Sequence, residues 1–169
     1  MTVHDHVVRY QEHISDKSYE ELVAAFESMV VDAPTVFEED FQRAAESDNS
    51  REFWEETLKS RMGPSGFMAA LSVDFGTVSG WYGTPGKAKM YIYGNPIVAA
   101  SMLVHNIRVG GRVPLQILIY EGADGRARIG YDLPSSIVSR FRNVDIDAVA
   151  KQLDEKVSEL ITEVAGAEA

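Results

Sequence analysis

The chain has no cysteine. That excludes disulfides, thiolate metal sites, iron–sulfur clusters and a cysteine nucleophile, and it fits a cytoplasmic protein. Positive charge is scarce as well. Sixteen Lys and Arg stand against 26 Asp and Glu, a formal net charge of −10. Nucleic-acid binding depends on Lys and Arg neutralising phosphates, so this balance argues against such a partner. No apolar run approaches the roughly 18 residues needed to span a bilayer, and no membrane partner is expected. The start, Met1-Thr2-Val3-His4-Asp5-His6, lacks the basic stretch and apolar run of a signal peptide. Neither a G-x-G-x-x-G nor a Walker pattern occurs, so nucleotide-phosphate binding has no motif behind it. A G-x-S-x-G nucleophile elbow is missing too.

What is present reads as one ordinary domain spanning residues 1–169, with 45% hydrophobic and 25% charged residues. Residues 6–14 alternate weakly and predict a strand. Ser18-Tyr19-Glu20-Glu21 is a capping box, followed at helical spacing by Leu22, Ala25, Phe26, Met29 and Val30. Thr35-Val36-Phe37-Glu38 is a second capping box, opening a short helix, and 51–62 reads as a third. At Gly66 the hydrophobic period changes from helical to two: Phe67, Ala69, Leu71, Val73 and Phe75 alternate with their neighbours. Residues 76–86 read as a glycine-rich loop, and 87–93 as a strand. Asn95-Pro96 fits a helix start, Asn as cap and Pro at the first turn, with the helix running to about His105. Strands at 115–121 and 126–132 flank a Gly/Asp turn. A short helix follows Pro134, a long amphipathic one follows Asp145 as cap, and the tail 166–169 is expected to fray. The order predicts an α+β fold: a single two-layer domain with a mixed sheet of about five strands packed against helices.

The polar and conformationally special residues of 94–136 sit at the ends of buried elements, where a site is built on rigid scaffold. Asn95 is first a cap, yet a helix N-terminus also attracts anionic groups. Met102 and His105 lie three apart on one helix face. A lone histidine there is more often a core residue than a ligand; the sharper readings are a haem axial ligand or a general base. His4, His6 and His13 have no metal-site spacing. Tyr131, Asp132, Ser135 and Ser136 follow a strand, where they either pack or orient a substrate. Trp81, in the 76–86 loop, is a candidate lid. Lys87, Lys89, Arg108, Arg112, Arg126, Arg128, Arg140 and Arg142 make 87–142 locally basic. One basic region in an acidic protein suits an anionic small molecule, though scattered surface charge explains it as well.

Tyr93-Gly94-Asn95-Pro96, the Met102 helix, Val113-Pro114-Leu115, the hairpin at Asp124-Gly125 and Tyr131-Asp132-Leu133-Pro134 together resemble the bacterial family known as domain of unknown function 302, over about residues 66–140. The resemblance implies a small two-layer α+β fold, usually a homodimer, with no agreed activity. Against that family pattern, 35–62 reads as a helical insertion. The expectation is a small-molecule or cofactor binding protein whose pocket draws on Asn95, Met102, His105, Arg112, Tyr131 and Trp81. Haem is one candidate cofactor and His105 the candidate catalytic residue, with no metal site. The alternative is a structural or interaction protein without a ligand.

Overall fold

The computed structural model describes residues 3–32 and 39–166. Among them, six strands form one sheet in the order β1-β6-β5-β4-β3-β2. They are β1 (Tyr10–Ile14), β2 (Val31–Asp32), β3 (Met68–Asp74), β4 (Ala88–Gly94), β5 (Leu115–Glu121) and β6 (Ala127–Asp132). All neighbours are antiparallel except the two-residue β2, which runs parallel to β3. The mixed α+β sheet is therefore the expected one with a short sixth strand added. The second capping box, 35–38, and all of the tail beyond Gly166 lie outside the described residues.

Helices pack on the sheet and cover one of its faces, the other being met by a helix near Met68. These are α1 (Tyr19–Met29), α2 (Glu39–Glu46), α3 (Ser50–Arg61), α4 (Phe75–Trp81), α5 (Pro96–Leu103), α6 (Pro134–Val138) and α7 (Val144–Ala165). Alternate residues of each strand point to opposite faces. On the covered face Tyr91, Tyr93, Ile117, Ile119 and Ile129 meet Leu22 and Phe26 of α1 and the apolar stripe of α7 in one core. Phe26 packs against Tyr91 at a ring distance of 4.8 Å and against Tyr93 at 5.8 Å. Leu58 and Met68, with Trp54, Met62 and Ile97 around them, form a second, smaller core where α3 and α5 meet the sheet.

Four sequence expectations shift. The first strand starts at Tyr10, not at 6, because β6 ends at Asp132 and offers no further partner. There Leu133 N–H bonds Arg9 O, and Ser136 Oγ accepts from Arg9 N–H. The 76–86 loop begins as helix α4, capped by Asp74, whose carboxylate accepts from Thr77 N–H at 2.9 Å. Its glycine content hid it, and Gly76 is there for close approach: a Cβ would sit 2.3 Å from Gly86 O on the returning chain. The last helix is capped by Asn143, which accepts from Asp145 and Ile146 N–H, leaving Asp145 in the first turn. Finally, α5 ends at Leu103, and His105 lies beyond it.

Candidate functional site

Helix α5 reads Pro-Ile-Val-Ala-Ala-Ser-Met-Leu, apolar on every side but Ser101, whose hydroxyl is turned back to Val98 O at 2.8 Å. A helix apolar all round is normally buried all round. Here Met102 is buried, but Val98 and Ala99 are only half-buried and Ala100 is exposed. They border a cavity of about 360 Å³. Met68 and Ala70 of β3 form its floor. Gly110, Val113 and Pro114 of the segment before β5 close one end, and Phe41 and Trp54 stand at the other. Those two rings meet edge to face, 5.9 Å apart at 89°. Phe41 is 59% exposed, a large apolar residue held in solvent.

Among the described residues the lining carries Asn95 and the Trp54 indole as its polar side chains, and the hydrogen-bonding capacity of Asn95 is taken up. Oδ1 accepts from Ile97 and Val98 N–H at 2.9 and 3.1 Å; Nδ2 donates to Gly66 O at 2.9 Å and faces Met62 Sδ at 3.6 Å. Asn95 thus caps α5 and ties it to the turn before β3. The cavity's chemistry is dispersion and water exclusion rather than acid–base work.

The arm bearing Phe41 is fixed by an ion pair. Asp40, on α2, is buried, and Arg61 of α3 places Nη2 2.9 Å from its Oδ2, at ion-pair distance but off the angle of a hydrogen bond. Arg43 is more distant, at 3.9 Å.

Of the six residues expected to share a pocket, the structure brings together two, Asn95 and Met102. His105 follows the end of α5 in a turn whose N–H bonds Met102 O. Its side chain is 38% exposed, with Nδ1 3.6 Å from Asp145. It does not line the cavity that Met102 borders, so that cavity lends the haem-ligand and general-base readings no support. Trp81 is 76% exposed on α4 and does not line this cavity, so it is no lid for it. Tyr131 donates to Gln11 Oε1 at 2.7 Å and borders a separate cleft beside α7. Burial, and then the charge of Asp154, push its phenol above the usual range. Ser135 and Ser136 are structural: Ser135 N–H donates to Asp154, and Ser136 Oγ donates to Leu133 O.

Arg112 lies in a second cavity of about 330 Å³ with His6, Gln116, Asp132 and Ile137. It shares Gly110, Val113, Pro114 and Leu115 with the first, so the two adjoin across that segment. The sequence reading missed Phe41, Trp54, Ala99 and His6. The available signal was α5 itself, a helix with no polar face.

The family model described as Domain of unknown function DUF302 matches residues 43–164. The crystal structure of an uncharacterized conserved DUF302 protein from Bacillus stearothermophilus is similar in fold, with a TM-score of 0.65 at 15% identity, over 92% of this chain and 97% of that one. No curated protein matches significantly.

Proposed function

The chain belongs to the DUF302 family, and we propose that it is a small-molecule binding protein whose site is the apolar cavity bordered by α5. One observation carries this reading: a helix apolar but for Ser101 leaves one side against a cavity of about 360 Å³ that no side chain of the described residues fills. That volume lies at the lower end of ligand pockets. With Asn95 saturated and no ionisable group in the lining among the described residues, the ligand portion held there is hydrocarbon. The test is binding of an uncharged apolar probe such as 1-decanol, followed by calorimetry. Ala99→Phe, which fills the cavity from α5, removes binding while thermal unfolding stays cooperative. Equal binding by the variant contradicts the reading.

We further propose a homodimer formed through the uncovered sheet face. Leu71 and Val73 of β3, Met90 and Ile92 of β4 and Leu118 of β5 share that face by register. Leu71 is 49% exposed. A contiguous apolar sheet surface of this kind favours a protein partner.

A further inference from the structure

Building on the small-molecule reading, we infer that the ligand is an amphiphile: a hydrocarbon chain in the α5 cavity joined to a carboxylate head held at Arg112 in the adjoining cavity. The two cavities share Gly110, Val113, Pro114 and Leu115, so one molecule can reach round that segment. They differ sharply in chemistry. The first is apolar apart from the saturated Asn95 and the Trp54 indole N–H; the second gathers His6, Arg112, Gln116 and Asp132.

Among the basic residues of 87–142, Arg126 and Arg142 also lack an ion pair among the described residues, but neither lines the two cavities, and most of the others are engaged. Lys87 pairs with Glu20 and Glu121, Lys89 with Glu27, and Arg128 with Asp124 and Glu12. Arg108 and Arg140 lie over the Phe141 ring, at 5.8 and 5.9 Å. Arg112 has no ion-pair partner among the described residues, although it borders a cavity. Beside it, His6 Nε2 is buried without a hydrogen-bond partner, and such an atom is costly unless something satisfies it. A planar guanidinium fork matches a carboxylate. Asp132, on the same rim, opposes an anion, yet it stands beyond 4 Å of the guanidinium and leaves that charge uncompensated. At about 30 Å³ per non-hydrogen group, the share of one water in the liquid, the first cavity accommodates about twelve such groups. The chain is therefore of medium length.

The experiment compares decanoate, 1-decanol and decylamine by calorimetry on the wild-type protein and on Arg112→Gln, an exposed change that leaves the core untouched. Decanoate binds about tenfold more tightly than decanol to the wild type, and Arg112→Gln removes that advantage while decanol binding is unchanged. Equal binding of decanoate and decanol, unaffected by Arg112→Gln, overturns the head-group assignment and leaves the apolar site standing. Preference for decylamine overturns it in favour of Asp132. Failure of all three on the wild type overturns the apolar site and this inference together.

Discussion

Tyr93 is fully buried in the centre of the core, yet its hydroxyl finds no hydrogen-bond partner among the described residues. Burial first, and then the nearby Tyr131, push its ionisation far above the usual phenol range. Its ring does the useful work, edge to face with Phe26 and Phe67. Tyr93→Phe keeps those contacts and deletes an unsatisfied group, so it leaves stability unchanged or raises it by about 1 kcal/mol in urea unfolding. A loss above that size contradicts the packing described. At the residue scale the sequence was legible wherever an interaction was local. Asn95-Pro96 capped a helix as read, because cap and donors lie within three residues. His105 does not join Met102 at the cavity: its expected face followed from a helix that stops at Leu103.

Beside its apolar packing, helix α1 is tied to β4 by the Glu27 carboxylate. Glu27 Oε1 accepts from Lys89 Nζ at 2.6 Å and from Tyr91 Oη at 2.7 Å. Burial raises the Glu27 pKa, but the Lys89 and Tyr91 hydrogen bonds together outweigh it and the net shift is down from 4.5. A lowered carboxylate stabilises the fold above its unfolded pKa, and that contribution is lost as pH falls through the folded value. Glu27 is 45% exposed, so screening keeps the effect at a few tenths to about 1 kcal/mol. Glu27→Gln is therefore less stable than wild type at pH 7, and the gap narrows below pH 4.5. A gap of constant size across that range contradicts the assignment. Strong periodicity made α1, α7 and the hairpin strands readable as elements. Helix α4 was not, because Gly76 and Gly80 look like loop residues, and only the returning chain explains Gly76.

For the whole molecule, the uncovered face decides assembly. The strands, at about 4.8 Å spacing and about 3.3 Å per residue, give a face of about 500 Å² in projection, and a corrugated side-chain surface exceeds its projection. A standard interface takes about 800 Å² from each partner, so most of this face is enough. Near β1 it turns polar, with Arg128 bonded to Asp124 and Glu12. Tyr10 lies over Gly130, where a Cβ would meet its hydroxyl. The account predicts a dimer in sedimentation at micromolar concentration and a monomer for Leu118→Glu; a monomeric wild type contradicts it. The layers and sheet were legible because hydrophobic period sets which faces are buried. The cavity was not, because its walls come from α2, α3, β3, α5 and the segment before β5, and no sequence pattern states which distant faces meet.

The central claim is that small apolar molecules occupy the cavity bordered by α5. Methionine supplies reporters: Met68 and Met102 line that cavity, whereas Met90, farther along β4, does not. The direct measurement is a titration of ¹³C-methyl-methionine-labelled protein with 1-decanol, followed by NMR. The account predicts that the Met68 and Met102 methyl signals shift and saturate together while Met90 stays in place. Unmoved Met68 and Met102 signals, or a response confined to Met90, contradict it.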